Sequence, residues 1–210
     1  MTLANRLTLL RLALLPVFMT FMIWDNVWTR LLALLIFIGA SITDWYDGAL
    51  ARRTKTVTVV GTLLDPLVDK MLIATALVGF VELREIHVPA WMVVIIIGRE
   101  FLITGLRMLA ASRGRVMAAE QAGKTKMVSQ ITAVITILII LVLNSAFDHW
   151  PTWMSRMPFG WPKILRMVLD LTPFGLVFIA TLITLLSGIL YIRKNRGLLK
   201  KEFAMPEGRA

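Results

Sequence analysis

Leu31-Leu32-Ala33-Leu34-Leu35-Ile36-Phe37-Ile38-Gly39-Ala40-Ser41-Ile42 runs without a charge and continues directly into Thr43-Asp44-Trp45-Tyr46-Asp47-Gly48. With its polar end, the stretch approaches the roughly 20 residues that cross a bilayer as a helix. It is one of six such runs. The others cover about Leu7–Trp24, Val57–Val81, Pro89–Ala110, Met127–Leu143 and Pro173–Ile192. Composition agrees: of 210 residues, 58% are hydrophobic and 17% charged, and the mean hydropathy is +0.76. Soluble domains are about 45–50% apolar and about 25% charged. The expected fold is therefore all-α, a single polytopic membrane domain over residues 1–210 with six transmembrane helices. A water-soluble domain, a disordered chain and a fibrous protein are excluded. The first run is not read as a signal peptide, because Arg6 and Arg11 sit in or beside it and Trp24–Trp28 offers no small-residue cleavage site.

Orientation follows from the basic residues. With the amino terminus inside, inner segments carry fourteen Lys and Arg and outer segments five (Arg30, Arg84, Arg156, Lys163, Arg166), with Arg11, Lys70, Arg99 and Arg107 inside the runs. The positive-inside rule then places both termini in the cytoplasm. The same rule accounts for the net charge of +10 without nucleic acid as a partner. The Trp- and Pro-rich segment 144–171 is expected to lie on the outer surface, and the basic tail 193–210 to meet anionic lipid headgroups. With no cysteine and only two histidines, disulfides, thiolate metal sites and cysteine nucleophiles are excluded.

Charge inside a span is costly and marks function. Asp44 and Asp47 close the second run, and Asp65 and Asp69 lie in the third. The i, i+3 and i, i+4 spacings put each pair on one helix face. Four converging carboxylates repel unless cations hold them, and a carboxylate set without His or Cys suits Mg²⁺ or Mn²⁺. Pairing of all four with Arg52, Arg53, Lys55 and Lys70 is the less economical alternative. Gly48 and Ala51 leave no bulk beside the carboxylates, Gly61 stands one turn before Asp65, and Arg52 offers a planar fork of donors to a phosphate.

The string from Asp44 to Asp69 reads D-x2-D-G-x2-A-R-x8-G-x3-D-x3-D. It resembles the signature of the CDP-alcohol phosphatidyltransferase family at all eight fixed positions. The resemblance implies six membrane helices, a homodimer, and a cytoplasm-facing site holding two divalent ions. On that basis, Asp44, Asp47 and Asp65 would bind one ion and Asp44, Asp65 and Asp69 the other. Asp47, Gly48, Ala51 and Arg52 would hold the CDP moiety, with Asp44, Gly61 and Thr8 beside it, and Asp69 would be the general base. The further segments Gly98-Arg99-Glu100, Thr104, Leu106-Arg107, Ala110, Gly123-Lys124-Thr125-Lys126 and Gln130, with Asn5–Arg11 and Pro16, are similar to the pattern of bacterial phosphatidylglycerophosphate synthases. The donor implied is CDP-diacylglycerol, the acceptor sn-glycerol 3-phosphate, and the location a bacterial inner (cytoplasmic) membrane.

The residues themselves point to an anionic acceptor. Arg99 and Arg107 lie eight residues apart, just over two turns, and so share a face of the fourth helix. Lys124 and Lys126 open the fifth from the same side, and Arg11 stands one turn into the first. Such a cluster would bind a phosphate; pairing of Arg99 with Glu100 is the structural alternative. No Cys, and no Ser or His within the motif, offers a covalent nucleophile, so a one-step displacement is expected. The same chemistry with phosphatidylglycerol as acceptor, as in CDP-dependent cardiolipin synthesis, would have less use for Arg99 and Arg107. A divalent-cation transporter would need acidic groups towards both faces, whereas these four gather towards one.

Overall fold

The computed structural model describes residues 3–54, 59–112, 121–149 and 161–197, and the side chains of 10–43, 70–112, 125–149 and 163–197. Within the described residues there are no strands and six helices: α1 (Leu3–Ile23), α2 (Val27–Thr54), α3 (Val59–Glu82), α4 (Ala90–Ser112), α5 (Gln121–His149) and α6 (Trp161–Lys194). α1 packs on α2 and α3, and α5 on α2, α6 and, less closely, α3; α4 bridges α3 and α6. α2 and α3, which carry the acidic motif, thus share both α1 and α5 as neighbours.

Local chemistry sets several of these boundaries. Asn26 caps α2, its side-chain oxygen accepting the Trp28 N–H at 2.9 Å. Pro16 lies inside α1, where it removes one backbone donor, and the Thr20 hydroxyl donates to the Pro16 carbonyl at 2.9 Å. Gly79 lets α1 lie against α3, since a Cβ there would fall 1.9 Å from the Met22 methyl. The core runs along the bundle axis through Phe18, Phe37, Ala76, Phe80, Ile96 and Leu138, with the Phe18 and Phe37 rings tilted at 41° and 5.9 Å apart.

The outside of the bundle carries many large apolar side chains. Trp24, Trp28, Val94, Val128, Met167 and Leu186 are each more than 60% exposed. Water does not tolerate so continuous an apolar surface, and lipid does. This is a membrane protein. Two described stretches, Thr125–His149 and Lys163–Lys194, are long and apolar enough by themselves to cross a bilayer.

The helices overrun the apolar runs seen in the sequence. Residues 144–149 continue α5 and 161–171 begin α6, so much of the segment expected to lie on the surface is helical extension; 150–160 fall outside the described residues. Pro173, which reads as a helix start, lies inside α6. An apolar run marks where lipid is, whereas a helix continues for as long as its backbone bonds and packing allow. Here α5 and α6 stay together beyond their apolar parts, with Arg166 donating to Asp148 at 3.0 Å.

Candidate active site

The acidic motif falls in the register of the core. On α2, the buried positions Ala33, Phe37 and Ala40 continue at spacings of four and three to positions 44 and 47. On α3, positions 65 and 69 lead at the same spacings to the buried Leu72, Ala76 and Phe80. By backbone register alone, positions 44 and 47 continue the line of buried residues on α2, and positions 65 and 69 that on α3. The side chains of Thr8, Asp44, Asp47, Gly48, Ala51, Arg52, Gly61, Asp65, Asp69 and Lys124 lie outside those described, as does the tail beyond residue 197.

One residue past Asp69, a buried ionic cluster begins. Glu100 of α4 is at its centre, 9% exposed. Lys126 of α5 donates to its Oε1, Arg99 Nη1 reaches the same oxygen at 3.3 Å, and Lys70 of α3 stands 3.6 Å from Oε2. Lys70 also donates to the Thr104 hydroxyl, which in turn donates to the Glu100 carbonyl at 2.7 Å. Three helices meet on one carboxylate. The pairing of Arg99 with Glu100, weighed above as an alternative to phosphate binding, is therefore present, but Glu100 is shared among three cations and neutralises only one.

Two α6 side chains complete the cluster. Arg99 Nη2 donates to Ser187 Oγ at 2.7 Å. Arg107 Nε donates to Tyr191 Oη at 3.2 Å, and the guanidinium carbon lies 5.1 Å from the Tyr191 ring centroid, a cation–π stack. Behind them, Gln130 donates to the Thr184 hydroxyl at 3.1 Å. Arg99 and Lys126 thus meet on Glu100, while Arg107 is held separately by Tyr191. Arg11 is buried on α1.

The sequence missed the hub and its far wall. In the sequence, Lys70 reads as a cation within a span or a mate for the aspartates, Glu100 as part of the Gly98–Glu100 segment or a mate for Arg99, and no residue of the sixth run is placed at the site. A signal was available in α6: Thr184, Ser187, Gly188 and Tyr191 recur at spacings of three or four in an otherwise apolar helix, which marks one polar face.

An apolar groove of about 390 Å³ also opens between α1, α3 and α4, lined by Leu15, Pro16, Met19, Met71, Ala74 and Phe101. Its α3 residues lie on the side of that helix away from the register of positions 65 and 69, so it is not part of the ionic site.

The family model for CDP-alcohol phosphatidyltransferases matches residues 1–161. The chain is 38% identical over 210 residues to a protein of Bacillus subtilis named CDP-diacylglycerol–glycerol-3-phosphate 3-phosphatidyltransferase, with 94% of this chain and 97% of that one covered. A protein of the same name from Salmonella typhimurium is 32% identical over 197 residues, covering 91% and 93%. One from Pectobacterium atrosepticum is 39% identical over 138 residues, covering 63% and 74%.

Proposed function

The chain belongs to the CDP-alcohol phosphatidyltransferase family, and from that premise we propose that it transfers the phosphatidyl group of CDP-diacylglycerol to sn-glycerol 3-phosphate, giving phosphatidylglycerophosphate and CMP. The relatives named for this activity support the reading. The observation that carries the choice of acceptor is the charge balance around Glu100: one buried carboxylate against Lys70, Arg99 and Lys126, with Arg107 beside them. Uncompensated buried charge is costly, and a doubly charged phosphate would offset the surplus. Phosphatidylglycerol, with a single diester charge, would offset less of it.

The donor set at positions 44, 47, 65 and 69 is all carboxylate, the chemistry that hard divalent cations such as Mg²⁺ or Mn²⁺ take. Asp44, Asp47, Asp65 and Asp69 would hold two such ions. Bound there, the ions would supply charge neutralisation at the pyrophosphate and at the departing CMP. Asp47, Gly48, Ala51 and Arg52, with Thr8 and Gly61, would seat the CDP group. Arg99, Arg107 and Lys126, with Lys124 and Arg11, would hold the acceptor phosphate. Asp69 would take the proton of the acceptor's 1-hydroxyl as that oxygen bonds to the lipid-bearing phosphorus and the bond to CMP breaks. The phosphorus changes partners once, and the proton ends on the carboxylate.

We place this site on the cytoplasmic side of a bacterial inner (cytoplasmic) membrane, in a single domain of six spans over residues 1–210 that works as a homodimer. The shortest described helix, α1, has 21 residues, about 30 Å at 1.5 Å per residue, and so matches a hydrocarbon core. The fourteen-to-five distribution of basic residues supports the orientation. The test is to incubate the detergent-purified protein with CDP-diacylglycerol and a panel of labelled alcohols. CMP release that depends on glycerol 3-phosphate is expected. Equal or faster release with phosphatidylglycerol would move the protein to cardiolipin synthesis.

A further inference from the structure

From the α4–α6 contacts we infer that α6 is the positioning wall of the acceptor site: Ser187 and Gly188 set the side chain of Arg99, and Tyr191 sets that of Arg107. The inference rests on the assignment of those two arginines to the acceptor phosphate. Their backbones are eight residues apart on α4, about 12 Å along the axis, whereas Ser187 and Tyr191 are four apart on α6, about 6 Å. Each guanidinium is thus held by a partner on α6 rather than by α4 alone. An untethered arginine samples many rotamers, and only a held fork meets a phosphate with two donors at once.

Each α6 residue suits that task. Ser187 Oγ accepts from Arg99 Nη2 at 2.7 Å and is itself held, donating to the Thr184 carbonyl at 3.3 Å. Gly188 provides passage: a Cβ there would lie 3.2 Å from Arg99 Cγ and 3.3 Å from Nε, so the arginine stem would have to give by a few tenths of an ångström. Small residues are common where membrane helices approach one another, and Gly188 is such a residue at the Arg99 contact. Tyr191 is buried, 2% exposed, and holds Arg107 twice, through its hydroxyl and through its ring face. Its own carbonyl accepts from Asn195 Nδ2 at 2.9 Å, which fixes the last turn of α6.

The experiment measures kcat and both KM values for Ser187→Ala, Gly188→Ala and Tyr191→Phe. Each is made in the wild-type chain and with its target arginine replaced: Arg99→Ala for the first two, Arg107→Ala for the third. In the wild-type chain, KM for glycerol 3-phosphate should rise about two- to tenfold, the worth of one hydrogen bond, with KM for CDP-diacylglycerol unmoved. In the arginine-less chains the α6 changes should add nothing, because positioning acts only through the group positioned. Ser187→Thr keeps the hydroxyl and should stay near wild type. Tyr191→Phe and Ser187→Ala remove single oxygens, so they stand as the readout if Gly188→Ala fails to fold. Equal penalties with and without the arginines would overturn the inference, as would matched rises in both KM values. If Arg99→Ala and Arg107→Ala themselves leave KM for glycerol 3-phosphate unchanged, the acceptor assignment fails first and the inference falls with it.

Discussion

Two ionic clusters sit at opposite ends of the bundle, and their charge balances are inverted. At one end Arg30 of α2, 1% exposed, is the lone cation. Its two Nη atoms meet Glu85 at 2.8 and 2.5 Å, and Nη1 also reaches Ser145 at 2.7 Å and Asp25 at 3.1 Å. Ser145 in turn donates to Asp25 at 3.0 Å. About 28 Å away, by the 19 residues of α5 between Lys126 and Ser145, Glu100 is the lone anion among Lys70, Arg99 and Lys126. The Arg30 cluster meets its one buried cation with two exposed carboxylates, and it ties the start of α2 to the turn after α3 and to α5. The Glu100 cluster retains a positive surplus that nothing described neutralises. An excess of charge on exposed groups is met by solvent, whereas an excess among largely buried groups is suited to a ligand of the missing sign.

That contrast can be broken most severely with a chelator. Exhaustive removal of divalent ions should abolish CMP release, with Mg²⁺ or Mn²⁺ restoring it, while the Arg30 end is indifferent. Full activity in protein shown metal-free by elemental analysis would remove the ions from the account. Next in size is Arg30→Met, which removes the buried cation shared by the exposed carboxylates of Asp25 and Glu85 and the buried Ser145 hydroxyl. Loss of about 1.5–3 kcal/mol of stability is expected, the scale of hydrogen bonds to a charged group, read by thermal unfolding in detergent, with both KM values of the surviving enzyme unchanged. A shift in either KM would mean that the two ends are coupled.

Asp69→Asn should cost at least about a hundredfold in turnover, the scale of a general base, while CDP-diacylglycerol still binds. Retained turnover would pass the proton to another group, and lost binding would make Asp69 chiefly a ligand. Arg99→Ala should raise KM for glycerol 3-phosphate about ten- to hundredfold, as expected for a charge-assisted contact of about 1.5–3 kcal/mol. Stability should hold, because the surplus shrinks and Glu100 keeps two lysines. An equal rise in KM for CDP-diacylglycerol would favour a purely structural arginine. The smallest change is Ser145→Ala, about 1 kcal/mol of stability for one hydroxyl with no kinetic effect. A kinetic effect would show that the Arg30 end is more than a fastener.

The sequence by itself determined the class of fold and the motif. Long apolar runs fix a membrane helix because lipid offers the backbone no partner, and Asp44, Asp47, Asp65 and Asp69 stand out because carboxylates in such runs are rare and costly. It also put Arg99 and Arg107 on one face of a single helix, since a helix face follows from spacing alone. Helix ends were less legible. Pro173 sits inside α6 and His149 still belongs to α5, because packing between α5 and α6 carries the helices past the apolar limits. Only the tertiary structure decided that Arg30, counted in the sequence with the outer cations, is buried and matched by Asp25, Glu85 and Ser145. The same holds for Glu100 gathering cations from α3, α4 and α5, and for Ser187 and Tyr191 reaching the arginines across 88 and 84 residues of chain. The physical reason is common to all three. Burial and pairing depend on which helix lies against which, and helical period within one segment carries no information about its neighbours.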